Sequence, residues 1–178
     1  MARIAFRTFG VLVAPMEDPR IADFTTLGDV VSADAATAPG YVCSIFDEDD
    51  WDSGRWGPYA YGRFYRPEPD APDLDASTLS VWRDLESVFR FAYASHHRDA
   101  LRRRADWFEP RRWPTYVAWW IGDDELPTWP DSVTRLEHLH DHGSTPFAFD
   151  FHHPFLADGS TCPRPTMDGP HPRPAPGR

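Results

Sequence analysis

The titratable side chains of this 178-residue chain include eight histidines, 28 carboxylates and 18 basic residues, and every basic residue is arginine. Two histidines are adjacent, His96-His97, in a run where Leu85, Val88, Phe89, Ala92 and Tyr93 recur at helical spacing. On a wheel of about 100° per residue His96 falls on that apolar face and His97 about 100° from it, so one pocket takes one of the two. An imidazole on an apolar helix face can serve as general acid or base, or as an axial ligand to haem iron. A half-buried imidazole bonded to a backbone carbonyl fits the same pattern with no chemistry at all. Tyr93 and Arg98 lie within a turn of the pair and offer a phenol and a guanidinium to orient a substrate oxygen.

Trp82, Phe89, Tyr116 and Trp120 can line a flat pocket suited to an apolar, aromatic or porphyrin ligand. Alternation sends Tyr116 and Trp120 to one face of a strand and Trp119 to the other, and one of the two faces is expected to meet a partner's sheet. His138 and His142 stand at i and i+4, a spacing that metals use, yet packing or a helix C-terminal charge effect accounts for them equally simply. The acidic run from Asp47 to Asp52 lacks the glycine and terminal glutamate of a calcium loop and reads as a solvated connection. Arg102, Arg103 and Arg104, with Arg111 and Arg112, form a basic patch that either pairs with Asp99, Asp106 and Glu109 or meets an anionic group.

Composition removes whole classes. A formal charge of -10 argues against a general nucleic-acid binder. Lysine, asparagine and glutamine are absent, which excludes Schiff-base lysine chemistry, a Walker phosphate loop, a Cys-His-Asn triad and asparagine-linked glycans. There is no serine nucleophile elbow, glycine-rich dinucleotide turn or zinc quartet. Cys43 and Cys162 make no metal or disulfide spacing and are expected to be reduced thiols in a cytoplasmic protein. No apolar stretch reaches the length of a membrane span.

Periodicity predicts a first strand over Ile4 to Val13, a helix from about Arg20 to Ala36 stopped by Pro39-Gly40, and a second strand from Tyr41 to Phe46. A third strand is split between Tyr59 to Tyr65 and Thr78 to Trp82. One long helix follows from Arg83 to Phe108, then a strand from Thr115 to Ile121. The order βαββαβ implies an α+β ferredoxin-like sandwich with a four-stranded antiparallel sheet. Thr128 is the expected cap of an extra C-terminal helix that ends at His142-Gly143. Phe147, Phe149, Phe151 and Phe155 form an alternating strip expected to pack across the domain or onto a partner. Residues 1–156 are read as one domain, and 157–178, rich in proline and glycine, as a disordered tail.

Several segments resemble a bacterial family known as domain of unknown function 3291: Asp18-Pro19-Arg20-Ile21-Ala22-Asp23-Phe24, Leu79-Ser80-Val81-Trp82, Ser95-His96-His97-Arg98, Leu101 to Glu109 with its Trp107-Phe108, and Arg135-Leu136-Glu137-His138-Leu139. The resemblance implies a branch of the dimeric α+β barrel superfamily, hence a homodimer, a pocket between sheet and helices, and small-molecule chemistry. The family pattern carries alanine at His96 and matches its histidine to His97. The resulting expectation is a cofactor-poor, monooxygenase-like enzyme of natural-product metabolism in which His96 or His97 relays a proton. A haem protein of the same fold, a redox-neutral cyclase or isomerase, and a non-catalytic binding domain are the alternatives.

Overall fold

Arg3–Thr8 is a central strand, β1, with neighbours on both edges, and its four middle residues are buried without alternation because both faces of the sheet are covered. The computed structural model describes residues 1–47, 54–110 and 112–167. Its sheet contains β1, β2 (Tyr41–Ser44), β3 (Thr78–Trp82) and β4 (Tyr116–Ile121) in the order β2-β3-β1-β4, all pairs antiparallel. Ile4 lies opposite Trp82 and Trp120, and Ala5 opposite Val81 and Trp119. That register sorts Ile4, Phe6 and Trp82 to one face and Ala5, Val81 and Trp119 to the other.

The helices are α1 (Ala22–Thr37), α2 (Leu85–Tyr93), α3 (Ser95–Trp107) and α4 (Trp129–His142). With the strand order, they give a ferredoxin-like α+β fold carrying an extra C-terminal helix. Asp84 caps α2 by accepting from Ser87 N at 2.8 Å. Thr128 caps α4 by accepting from Asp131 N at 3.3 Å, and Gly143, at φ 71°, ends it. Gly10 brings β1's continuation against the Phe108 ring, which a Cβ there would meet at 2.5 Å.

Both faces of the sheet are covered within one chain. On the first, Leu85, Val88 and Phe89 of α2 pack on Ile4, Phe6 and Trp82, together with Phe149 and Phe151 from beyond α4. On the second, Trp56 and the α4 residues Trp129, Leu136 and Leu139 pack on Ala5, Val81, Val117 and Trp119. α4 and the excursion between β2 and β3 bury Trp119 completely. α1 lies against α3, held by Ile21 and by Phe24, whose ring meets Phe108 edge-on at 5.2 Å, and its Ala35 packs on the first-face core.

Four expectations differ from the structure. β1 ends at Thr8, and beyond it the chain makes only isolated bridges, Val11 with Asp75 and Leu12 with Phe108. Tyr59 to Tyr65 is not a strand. Its side chains serve packing and capping instead: Tyr59 packs on Trp129 with centroids 4.6 Å apart, and Tyr65 Oη accepts from Leu74 N at 2.7 Å. The expected long helix is two helices, with Ala94 extended between them. Disorder is expected from Ala157, but residues 155–161 close a turn through the Phe155–Thr161 bridge and Pro165 is buried. Glu48 to Asp52 of the acidic run, Arg111, and residues 168–178 lie outside the described residues.

Candidate functional site

The break between α2 and α3 determines where both adjacent histidines go. Nothing in Ala94-Ser95 resembles a helix stop, since neither proline nor glycine is present. Ala94 is nevertheless extended and Ser95 stands at φ 42°, one of two non-glycine residues with positive φ among the described residues. In an unbroken helix the Ala92 carbonyl would accept from the N–H of His96. Here it accepts from the His97 ring, Nδ1 to oxygen 2.7 Å. A carbonyl only accepts, so Nδ1 carries the proton and Nε2 keeps its lone pair. His97 also packs on Phe91, centroids 5.1 Å apart. Burial pushes its pKa below the usual 6.5, with the Ala92 bond opposing in part.

His96 is displaced from the apolar face where the wheel puts it. Its side chain is 53% exposed, and Nδ1 donates to Asp34 Oδ2 of α1 at 2.8 Å. The continuous-helix assumption reverses the two rings: the break turns His97 inward and swings His96 across to α1. The same break opens a cleft of about 440 Å³ lined by Asp34, Thr37, Pro39, Arg90, Phe91 and Ser95. That volume suits a small molecule of a few rings. Gly40, at φ 86°, lets the α1–β2 turn approach α2 so closely that a Cβ there would fall 2.0 Å from Ser87 Oγ.

The other proposed site residues are scattered. Tyr93 lies on another face of α2, 4.8 Å from the Phe89 ring. Arg98 is exposed on α3, its backbone N–H donating to Ala94 O at 3.0 Å. The aromatic wall is filled rather than hollow. Phe151 enters a box formed by Phe6, Phe89, Tyr93 and Tyr116, with centroids 4.9 to 6.1 Å away. Its N–H donates to Tyr116 Oη at 3.2 Å, and desolvation pushes the Tyr116 phenol well above its ordinary pKa. Trp82 stacks on Phe91 at 4.9 Å, and Trp120 Nε1 donates to Phe155 O at 2.7 Å. The phenylalanine strip thus packs across the domain and occupies the place where a sheet-to-helix pocket is expected. A porphyrin needs a slot beside its imidazole, and rings packed in this way do not fit one.

His138 and His142 stack with centroids 4.3 Å apart. His138 Nε2 is 2.9 Å from Thr145 Oγ1, and His142 Nδ1 donates to His138 O at 3.2 Å. No group of three or more metal-ligating residues occurs among the described residues. Cys43 and Cys162 are free thiols. Arg102 pairs with Asp99, and Arg103 with Asp23 and Asp106, so much of the basic patch is internally balanced. Among the described residues, no helix is long and apolar enough to cross a membrane.

Asp34, Arg90 and Phe91 are the site residues that sequence reasoning missed. The Asp34–His96 contact spans 62 residues and joins two helices through a break that no residue type announces. A family model described as a domain of unknown function (DUF3291) matches residues 3–164. No curated protein and no solved structure matches the chain.

Proposed function

The chain belongs to the DUF3291 family, whose description assigns no activity, and we propose from the site itself that it is a small-molecule enzyme working by proton abstraction in the cleft at the α2–α3 break. The observation that carries this reading is the contact of His96 with Asp34, which lines that cleft as does Ser95, the residue before His96. Asp34 accepts the Nδ1 proton, fixes the ring and leaves His96 Nε2 as the base. Phe91 supplies an apolar wall for a flat substrate. Ser95, held at a sparsely populated φ beside the base, keeps the two helices apart. His97 is a positioning residue that maintains the break.

The reaction consistent with these groups removes a proton from an acidic C–H of an apolar or aromatic compound. With dioxygen as co-reactant, a CH₂ group becomes a carbonyl: the substrate is oxidised, one oxygen atom is retained and the other leaves as water. No cofactor enters that balance. Anthrone, a flat ketone with an acidic CH₂, is a suitable probe. Oxygen uptake above the buffer rate is expected, falling by about a hundredfold or more in His96→Ala. A wild-type rate in that variant, or no uptake and no solvent-deuterium exchange in the parent protein, overturns the reading. Deuterium exchange without oxygen uptake would assign the same base to isomerisation.

A further inference from the structure

We propose that Ser95 is a second catalytic residue of the cleft, its hydroxyl donating to the carbonyl oxygen of a neutral aryl ketone; this rests on the cleft being the functional site. A carbonyl oxygen only accepts, so it needs a lining side chain with a proton to give. A hydroxyl has one. Thr37 Oγ1 shares its proton between Ala33 O at 3.4 Å and Asp34 O at 3.2 Å. Ser87 Oγ donates to Asp84 Oδ1 at 2.6 Å. Asp34 is committed to His96 at 2.8 Å, and Arg90 has interaction partners of its own. Ser95 lines the same space, and its hydroxyl has no hydrogen-bond partner among the described residues.

Position adds to this. Ser95 directly precedes His96, and at φ 42° it holds a left-handed conformation at the break. α3 starts there with no side-chain cap, so the positive end of its dipole lies beside the hydroxyl. The apolar lining, Ala38, Pro39, Phe91 and Ala94, suits the aromatic part of a ligand. Asp34 and the net charge of -10 disfavour an anion, so a neutral ketone is the fitting class. In the step, the C–H bond that the carbonyl acidifies breaks, and its proton passes to His96 Nε2. The electron pair left behind forms the new C=C, the carbonyl π pair settles on oxygen, and that enolate oxygen accepts from Ser95. Reprotonation by an imidazole that has exchanged with solvent returns the ketone, so the step needs no oxidant or reductant.

The test uses 1-tetralone and tetralin, one two-ring skeleton with and without the carbonyl, in equilibrium dialysis against the full chain. Ser95→Ala is expected to weaken tetralone about three- to tenfold, the range of a neutral hydrogen bond, and to leave tetralin unchanged. Exchange of the tetralone CH₂ protons with D₂O, followed by NMR, should fall by about tenfold more than binding does, because the bond to a charged oxygen is the stronger one. Ser95→Gly lacks the hydroxyl but relieves the positive φ, and it should share the ketone loss. Equal weakening of both probes, tetralone binding and exchange unchanged in Ser95→Ala, or a loss that Ser95→Gly does not share overturns the Ser95 assignment while the cleft stands. Thr37→Trp, which fills the cleft from the exposed end of α1, tests the site itself. If it leaves both affinities unchanged, or if neither probe binds the parent protein, or if bound tetralone exchanges no faster than in buffer, the cleft reading falls and the Ser95 role with it.

Discussion

The imidazole of His97 donates to the carbonyl of Ala92 at 2.7 Å, and that bond takes the place of a backbone hydrogen bond at the break between α2 and α3. His97→Phe keeps a ring against Phe91 but leaves the carbonyl without its donor. A loss of about 1–3 kcal/mol is expected, measured by urea unfolding at pH 8. The pH dependence has a definite sign. Burial lowers the folded pKa of His97 below 6.5, so the unfolded chain binds the proton first. Stability from this group is present above about pH 6.5 and declines as pH falls through the folded pKa. The decline should be weaker in His97→Phe, and an identical acid limb in both proteins would refute the assignment.

His96→Ala and Asp34→Asn remove an exposed contact, and exposed pairs contribute little to stability. Both variants should melt within about 2 °C of the parent protein. Both should also lose activity on anthrone, His96→Ala more severely because it removes the base itself. Equal melting with unequal turnover is the signature sought. Unfolding of either variant would show that the pair is structural.

Phe151 fills a box of four rings and is 1% exposed. Phe151→Ala should cost about 3–5 kcal/mol and leave a cavity between α2 and the sheet. Benzene or indole should then restore part of the loss in a thermal shift assay, as apolar cavities accept apolar ligands. No rescue and a small loss would mean that the segment after α4 closes over the gap.

The rings offered to a porphyrin by the sequence pack instead on Phe91, Phe151 and the Phe155 carbonyl. Titration with hemin should therefore give no stoichiometric Soret shift that depends on His97. A shift lost in His97→Ala would require the packing around that ring to open.

Asp75 lies near buried Arg7, its Oδ1 without a hydrogen-bond partner among the described residues. Desolvation raises its pKa above 3.8, against bonds from Ser77 and Tyr59 and the charge of Arg7. The folded state thus holds this proton to higher pH than the unfolded chain does. Its contribution is fully present below about pH 3.8 and is lost as pH rises through the folded value. Asp75→Asn should remove that slope, which equilibrium unfolding at several pH values between about 4 and 7 would detect.

Strand and helix order was legible because each element carries its own local signal. Thr128 and Gly143 bound α4, Pro39-Gly40 stops α1, and the alternation at the start of Thr78–Trp82 marks a strand. The site was less legible for a physical reason. A wheel assumes continuity, and the helix breaks at Ala94-Ser95, two residues that helices tolerate. One imidazole satisfying one carbonyl lies below what periodicity can register. Likewise, composition showed that Phe149 and Phe151 would be buried, but not that they would fill the pocket offered by Phe89 and Tyr116. Tyr59 to Tyr65 misled for the opposite reason: its aromatic spacing is that of a strand, although its rings pack on Trp129 and on one another.

The central position of β1 has a consequence for synthesis. Thr8 bonds Thr78 across 70 residues, and Arg7 reaches Ser132 across 125. β1, which leaves the ribosome before the other three strands, is thus among the last to find all its partners, and nascent chains that stop short of α4 leave the Trp119 face uncovered. Contacts of such span fold slowly. Until α4 has emerged, the growing polypeptide depends on chaperones or on speed to avoid sticking to its neighbours.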